Sequence, residues 1–359
     1  MRRLFLHEVH KEMGAQFGNC ENWEIPINYG NSSLEYNAVR NSVGISDLSN
    51  RGKLELKGKE HIKFLQGMLT NEIMGLDVYE GTYATLLTIK GRVVSDMVVY
   101  KDKESVILDL EPEMEIKVRE MLTKYRLSYK ADIEDITDSF VMLSLNGPNS
   151  EDLLKTLGLN IGGLKLYGFV KSEIDGFEFY VMRVNRTGET GFDVMIQNEF
   201  SHRFFNRAID AGRDFAMMAV GFDALEILRV EAGIPKFKVD FNESNIPIEA
   251  GLWNALSFEK GCYIGQEVIA RIKWRGHVNW HLKGFLVSDD HVPDKDTELY
   301  VNGKKIGRVT SGVYSPAINM PIAIGYIRRE FSEPDTEVYF LADNDEQVSA
   351  KVVELPFIQ

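Results

Sequence analysis

Residues 298–315 have the sequence ELYVNGKKIGRVTSGVYS, and this stretch sets the architecture expected for the C-terminal part of the chain. Two runs in which apolar and polar residues alternate flank the pair Asn302-Gly303, and such a pair predicts a β-hairpin with a tight turn. Further short runs of strand type follow residue 280, namely LKGFLVS, IAIGYI, EVYFLA and SAKVVEL. The pattern therefore predicts a separate all-β barrel domain over residues 279–359.

The sequence before this region mixes helix and strand patterns. Residues 91–101, GRVVSDMVVYK, form a β-branched run typical of a strand, whereas residues 59–73 place apolar side chains at helical spacing. Residues 200–232 are also mainly helical in pattern. The two kinds of element follow one another without a strict βαβ rhythm, which favours the α+β class over a doubly wound sheet. We therefore predict an α+β architecture within residues 1–278.

Composition excludes several classes of partner. The chain of 359 residues has 41 basic and 54 acidic residues, a net charge of −13, and an acidic chain without a basic block is a poor candidate for binding nucleic acid. No apolar run approaches the roughly 20 residues that cross a bilayer. The apolar stretch near the start has only three residues, Leu4 to Leu6, too few for a secretory signal. We expect a cytoplasmic protein without a membrane partner.

The cysteines and histidines predict neither disulfides nor a metal site. Cys20 and Cys262 are far apart and form no C-x-x-C pair, which fits a reducing compartment. His7 and His10, like His277 and His281, are spaced to share a helix face, but each pair lacks a third ligand. We interpret both pairs as solvated surface residues and predict no metal.

Several motifs occur in order along nearly the whole chain. They are an acid-aromatic-x-x-V-R pattern at 35–40, a D-x-S at 47–49, an F-L-Q…T-N at 64–71, and GRVTSGVYSPAINMPIAIGYI at 307–327. Together they resemble the aminomethyltransferase (glycine cleavage T-protein) family. The resemblance implies an α+β fold of three compact domains in a cloverleaf, with an all-β barrel as the C-terminal domain. It also implies that residues 1–278 form the folate-binding region as two interleaved α+β domains, with tetrahydrofolate in a central opening.

A reduced pterin sets simple demands on such a site. Its ring is flat, its edge carries N–H donors, and its tail ends in carboxylates. The site therefore needs an apolar or aromatic wall, an acidic acceptor for the edge and a cation for the tail.

Asp96 is the first candidate for this site. It lies in the β-branched run 91–101, and the resemblance places it on the family's catalytic aspartate, with Tyr83 thirteen residues upstream. A buried carboxylate on such a strand can steer the protonation of a folate nitrogen. The alternative is an aspartate on the solvent face of an edge strand. Ser95 stands where the family often has a second aspartate.

Glu189 and Arg229 are the next candidates for folate binding. Glu189 lies in RTGETGFD, where a tight turn can present its carboxylate to the pterin edge; the alternative is a plain hairpin turn that points it into water. Arg186 occupies the position before T-G-E that is often aromatic in the family, so the wall of the pocket must differ. The resemblance places Arg229, in LRVEAG, near the folate; the alternative is a salt bridge that ties two domains together.

The stretch KGCYIGQE, followed by Arg271, resembles the signature of the YgfZ branch, whose members bind folate and assist iron–sulfur proteins. Positive charge near Cys262 favours a reactive thiolate, and the glycines can bring the backbone close to a partner. The alternative is an inert cysteine in the core. The residues of this predicted motif are Lys260, Gly261, Cys262, Tyr263, Gly265, Gln266, Glu267 and Arg271.

Three functions follow from these signals. The first is a tetrahydrofolate-binding factor in iron–sulfur cluster assembly or repair, with iron–sulfur proteins as partners. The second is a folate-dependent aminomethyltransferase in which Asp96 is catalytic and a lipoylated carrier protein delivers the one-carbon unit. The third is a partner-binding module with a vestigial pocket, against which the acceptors Asp96 and Glu189 speak.

Overall fold

The computed structural model describes residues 1–174, 176–342 and 346–358, and the chain divides into two compact units. The first unit comprises Met1–Leu86, Ser95–Leu225 and Glu259–Tyr263; the second comprises Leu87–Val94, Glu226–Phe258 and Ile264–Gln359. Neither unit is therefore a single continuous stretch of sequence.

Strands dominate both units. In chain order the strands are β1 (Arg2–Arg3), β2 (Gln16–Cys20), β3 (Trp23–Asn28), β4 (Gly44–Asp47), β5 (Gly52–Lys57), β6 (Gly81–Leu87), β7 (Val93–Lys101), β8 (Ser105–Leu110), β9 (Asp132–Asp135), β10 (Phe140–Asn146), β11 (Phe169–Ile174), β12 (Phe177–Val184), β13 (Gly191–Gln197), β14 (Met218–Ala219), β15 (Trp280–Val287), β16 (Glu298–Val301), β17 (Lys304–Ser315), β18 (Met320–Arg328), β19 (Glu337–Leu341) and β20 (Gln347–Val353). The helices are α1 (His7–Glu12), α2 (Ser32–Asn41), α3 (His61–Met68), α4 (Glu115–Arg126), α5 (Ser150–Thr156), α6 (Asn198–Gly212), α7 (Phe222–Glu231) and α8 (Gln266–Arg275). Among the described residues, no helix has both the length and the apolar character needed to span a bilayer.

Two large sheets organise the first unit. One has the strand order β11-β12-β13-β10-β4-β14 and the other the order β6-β7-β8-β5-β9. Strands β7 and β8 are buried along almost their whole length, as expected for runs rich in Val, Ile and Leu. A core cluster combines Val98 and Tyr100 of the second sheet with Met142 and Met195 of the first. The half-buried Tyr83 packs against this cluster, so the shared core of the two sheets positions it.

The second unit contains a closed barrel with the strand order β15-β18-β17-β16-β19-β20. The turn between β16 and β17 has positive φ at both Asn302 and Gly303, which is the backbone that a tight hairpin of this kind requires. The predicted α+β class with a C-terminal all-β barrel is confirmed. The boundary at 278/279, the three domains and their cloverleaf arrangement stay predictions.

The helix predicted over 59–73 is shorter than expected, because α3 ends at Met68. Leu69 forms a β-bridge with Leu86, and the Thr70 N–H donates to the Thr85 carbonyl at 3.1 Å. The backbone of Leu69 and Thr70 therefore pairs with strand β6, and the helix ends before the residue at which local periodicity predicts its end.

The prediction that His7 and His10 lie on a solvated surface is wrong. Both are buried, and His10 lies between Asp47, whose Oδ2 is 2.9 Å from Nε2, and Tyr29, whose Oη is 2.8 Å from Nδ1. His7 pairs with Glu24 at 2.9 Å. Hydrogen bonds to these partners offset the cost of burying the rings. Within the described residues, no group of three or more His, Cys, Asp or Glu side chains is arranged to hold a metal.

Candidate functional site

Asp96 and Tyr83 meet on neighbouring strands of the five-stranded sheet. Strand β7, which carries Asp96, lies between β6 and β8, and Asp96 is only 9% exposed. The Tyr83 hydroxyl donates to Asp96 Oδ2 at 2.7 Å. The alternative of a solvent-facing aspartate on an edge strand is therefore wrong.

The second oxygen of Asp96 is the unusual feature of this pair. Oδ1 is buried and has no hydrogen-bond partner among the described residues. Burial, together with the nearby Glu111 carboxylate, raises the pKa of Asp96 to about 7, although the Tyr83 hydroxyl and the Arg51 guanidinium act in the opposite direction. A carboxyl group with this pKa can both accept and release a proton near neutral pH. Unsatisfied buried groups with shifted pKa values are typical of functional sites.

A network of buried charges extends from Arg51. Arg51 forms ion pairs with Glu111 and with Asp109, whose Oδ1 lies 2.6 Å from Nε. Arg186 reaches the other oxygen of Asp109 at 2.9 Å and also binds Asp193. Burial alone would raise the pKa of Asp109, but the two guanidinium groups hold it below its usual value.

The sequence pointed to Arg186 only as a departure from the family pattern. The structure explains the departure: Arg186 neutralises two buried carboxylates instead of forming an aromatic wall. Arg51 and Asp109 were missed, because their pairing joins positions 58 residues apart and no local pattern marks it.

Two tyrosines form an aromatic side beside Asp96. The rings of Tyr83 and Tyr167 lie 6.4 Å apart at 27° to each other. Tyr167 has a φ of 65°, a backbone conformation that aromatic residues rarely adopt. Gly81 permits it, since a Cβ at this position would lie 2.6 Å from the Tyr167 carbonyl.

Glu189 is held by an arginine instead of pointing freely into water. Arg40 Nη1 donates to Glu189 Oε1 at 2.7 Å, and Arg40 Nε donates to the Tyr36 hydroxyl at 3.2 Å. Arg40 and Tyr36 both lie on α2. Asn31 caps this helix, because its side-chain oxygen accepts a hydrogen bond from the Leu34 N–H. The Glu189 side chain remains 26% exposed. No direct bond joins Glu189 to Asp96 in the described structure, so their joint action on a ligand stays a prediction.

Arg229 lies in the second unit, and each of its five N–H groups has an acceptor. Nε and Nη2 donate to Glu226, Nη1 donates to Asp240 at 2.6 Å and to the Ile234 carbonyl at 3.2 Å, and Nη2 donates to Ser311 at 2.6 Å. These bonds tie α7 to strand β17 of the barrel. The geometry agrees with the salt-bridge alternative, although that bridge lies within one compact unit. A position near the folate stays a prediction.

Lys260, the first residue of the KGCYIGQE motif, supports the strand that carries Tyr83. Its buried Nζ donates to the carbonyls of Leu69 and Asn71 at 2.7 and 2.6 Å, and Asn71 Nδ2 donates to the Tyr83 carbonyl at 2.9 Å. Burial lowers the pKa of Lys260 to about 8, although Glu72 acts in the opposite direction. The first unit thus connects the motif to the Tyr83–Asp96 pair.

The rest of the motif divides into exposed and buried positions. Cys262 is exposed, so the alternative of an inert core cysteine is wrong, whereas Tyr263 is buried. Gly265 has a φ of 83° directly before α8, and a Cβ there would lie 2.6 Å from the Thr88 carbonyl of the same unit. Of the remaining motif residues, Gly261, Glu267 and Arg271 are exposed, and Gln266 is half-buried.

Comparisons with known proteins cover the whole chain. The family model described as GCVT N-terminal domain matches residues 6–260, and the glycine cleavage T-protein C-terminal barrel domain matches residues 281–359. An aminomethyltransferase of Chloroherpeton thalassium is 31% identical over 362 residues, which cover 100% of this chain and 99% of the relative. An aminomethyltransferase of Bacillus subtilis is 28% identical over 360 residues, which cover 99% of each chain.

A solved structure is similar over its full length. The glycine cleavage system aminomethyltransferase T from Bartonella henselae superposes with a TM-score of 0.92 at 23% identity, covering 99% of this chain and 98% of that one. At this level of identity the likeness establishes the fold alone.

Proposed function

The chain belongs to the glycine cleavage T-protein family, and from this premise we propose that it is a tetrahydrofolate-dependent aminomethyltransferase. The observation that carries the proposal is the buried Asp96 carboxyl, which has one oxygen on Tyr83 and the other without a partner among the described residues. The sequence alone placed this activity second, after a role with iron–sulfur proteins. The relatives' names favour the transferase and give no support to the YgfZ branch.

The first unit offers the groups that a reduced pterin needs. Tyr83 and Tyr167 supply an aromatic side, and Asp96 Oδ1 is a buried acceptor that an N–H of the pterin edge would satisfy. Glu189, whose Oε1 accepts a hydrogen bond from Arg40, offers a second acceptor. The resemblance points to Arg229 as the cation for the folate tail, where it would have to exchange one of its protein acceptors for the ligand.

Asp96 carries the proton transfer in this proposal. Bound tetrahydrofolate supplies the nitrogen that takes up the one-carbon unit. As this nitrogen forms its new bond to carbon, the bond between that carbon and the donor breaks, and the electron pair leaves with the donor atom. The nitrogen loses its proton in the same step, and Asp96 Oδ1 accepts it, because a carboxyl of pKa about 7 is half ionised at neutral pH. The Tyr83 hydroxyl holds Oδ2 and so fixes the direction of Oδ1. We propose a lipoylated carrier protein as donor and the cytoplasm as location.

The test combines folate binding with catalysis. Calorimetric titration of the purified protein with tetrahydrofolate should show saturable one-to-one binding, and aminomethyl transfer should occur when a lipoylated carrier is added. Glu189→Ala should weaken folate binding by about 1–3 kcal/mol, because a buried donor on the pterin loses its acceptor. Glu178→Ala removes an exposed glutamate from β12, the strand that precedes the turn containing Glu189, and should have no effect. No binding by the wild type at millimolar folate would refute the proposal.

A second candidate function rests on Cys262. Its exposed thiol lies within KGCYIGQE, which favours a folate-binding factor that assists iron–sulfur proteins. Cells that carry Cys262→Ser should then lose iron–sulfur enzyme activity under oxidative stress, while the melting temperature of the variant stays unchanged. Cys20→Ser is the matched control. Normal iron–sulfur enzymes in the Cys262→Ser cells would remove this candidate and leave the transferase alone.

A further inference from the structure

Helix α8, Gln266–Arg275, presents a basic face with a tryptophan in an otherwise acidic protein. Residues 268–288 contain four Lys or Arg and no Asp or Glu, whereas the whole chain has a net charge of −13. Four residues near the C-terminal end of the helix are exposed, namely Arg271, Lys273, Trp274 and Arg275. Trp274 has 71% of its surface in solvent. We call one side of this helix the basic face; it consists of Arg271, Trp274 and Arg275, which their i, i+3 and i, i+4 spacing places together.

The described structure leaves these cations without carboxylate partners. No ion pair within the described residues involves Arg271, Lys273 or Arg275, and the one acidic residue of α8, Glu267, forms none either. Lys273 Nζ instead lies 5.2 and 5.0 Å from the rings of Trp253 and Phe258, which it contacts on another side of the helix.

Helix stability alone does not account for the basic face. Cations in the last turn of a helix stabilise it by about 0.3–1 kcal/mol each through the helix dipole. That argument covers Lys273 and Arg275, but Arg271 lies a turn earlier. It also leaves Trp274 unexplained. An exposed tryptophan does not interact with the helix dipole, and its large apolar surface stays in water and gains no hydrophobic stabilisation.

We propose that the basic face binds an acidic surface of a partner protein. Arg and Trp are the side chains that most often dominate the energy of protein interfaces, and Trp274 flanked by Arg271 and Arg275 has that composition. Complementary charge speeds and orients association even where each exposed pair adds little affinity.

The same observations disfavour other polyanions. A nucleic acid gains affinity from many phosphate contacts along an extended site, and the negative charge of the remaining surface repels a long polyanion beyond this one helix. A membrane-binding helix exposes a continuous apolar face, whereas α8 turns Ile269 inward and exposes Trp274 as its single fully exposed apolar residue. A compact acidic partner that touches only this face fits best.

The test uses the full-length protein with short poly-L-glutamate as the acidic probe. Binding is followed by calorimetry and by tryptophan fluorescence, without folate, so that the result does not depend on the proposed activity. The double variant Arg271→Gln/Arg275→Gln should weaken binding about tenfold, and Trp274→Ala about threefold. The control Lys295→Gln/Lys304→Gln removes two exposed charges from the same unit and should change the affinity less than about twofold.

Two results would overturn the proposal. An equal loss in the control variant would mean that poly-L-glutamate responds to total charge and not to the basic face. Tighter binding to duplex DNA or to phosphatidylglycerol vesicles, compared at equal charge concentration, would assign the face to a nucleic acid or a membrane.

Discussion

The two compact units each bury a charged side chain, and the two side chains differ in how completely their hydrogen bonds are made. Arg229 in the second unit donates all five N–H groups to protein acceptors. Asp96 in the first unit has one oxygen bonded and the other buried without a partner among the described residues. The first arrangement satisfies every donor within the protein, whereas the second leaves an acceptor that a ligand N–H can use.

This difference has an energetic meaning. A buried polar group without a partner costs about 1–3 kcal/mol, a cost that folding alone gives no reason to keep. A ligand that supplies the missing donor regains that energy on binding, so the unsatisfied oxygen favours a ligand over an empty site. Arg229 offers a ligand no such gain, since a new bond would have to replace an existing one. We therefore expect substitutions at Asp96 to alter activity and substitutions at Arg229 to alter stability.

The largest expected effect is on catalysis by Asp96→Asn. The amide keeps the shape of the carboxyl but cannot accept a proton, so aminomethyl transfer should fall by about 100- to 10,000-fold. Folate affinity should stay within about tenfold of the wild type, because the amide oxygen remains an acceptor. Steady-state transfer assays and calorimetry measure the two quantities separately.

Ser95→Ala is the matched control for this variant. The Ser95 hydroxyl is buried on the same strand and donates to the Asp96 backbone carbonyl at 2.9 Å. Its removal should leave transfer largely intact. If the Asp96→Asn protein keeps full activity, then Asp96, like Arg229, contributes to the stability of the fold and not to catalysis.

The next effect is on stability. Arg229→Met leaves Asp240 buried with its charge unpaired, so the free energy of unfolding should fall by about 3–5 kcal/mol. Urea denaturation measures the loss. Arg213→Met, at an arginine whose side chain is 77% exposed, should cost less than about 0.5 kcal/mol.

A second substitution sharpens this result. Arg229→Met/Asp240→Leu should regain part of the lost stability, because it removes both charges together. If Arg229→Met instead unfolds like the wild type but no longer binds tetrahydrofolate, then Arg229 belongs to the folate site, as the family resemblance implies.

Local sequence patterns could predict some of these features and not others. The Asn302-Gly303 turn, the barrel strands and the run around Asp96 depend on neighbours in sequence, so periodicity and turn chemistry identify them. The end of α3 depends on Leu69 bridging to Leu86. The burial of His10 depends on Asp47. No local pattern contains such distant partners.

The candidate site shows the same division. The spacing of Tyr83 and Asp96 was available from the family resemblance, and the structure adds that they share a hydrogen bond of 2.7 Å. The unpartnered oxygen and the Arg51–Asp109–Arg186 network could not be foreseen, since both are properties of the packed core. Sequence thus located the residues, and only the structure showed which polar groups were left unsatisfied.

The smallest expected effect, at most about 1.4 kcal/mol for each pH unit, is on the slope of stability against pH, because it arises from a single proton on Asp96. Its pKa is about 7 in the folded protein, against 3.8 as the ordinary value, and burial is the main cause. Between these two pH values the folded protein binds more protons than the unfolded chain, so this group makes the free energy of unfolding fall as pH rises. Asparagine does not titrate. The difference in unfolding free energy between wild type and Asp96→Asn should therefore decrease from about pH 4 to about pH 7 and level off above that range. Urea denaturation across this range tests the sign, and Ser95→Ala should keep the wild-type slope. A difference that stays constant with pH would mean that Asp96 remains ionised in the fold, and its contrast with Arg229 would then rest on geometry alone.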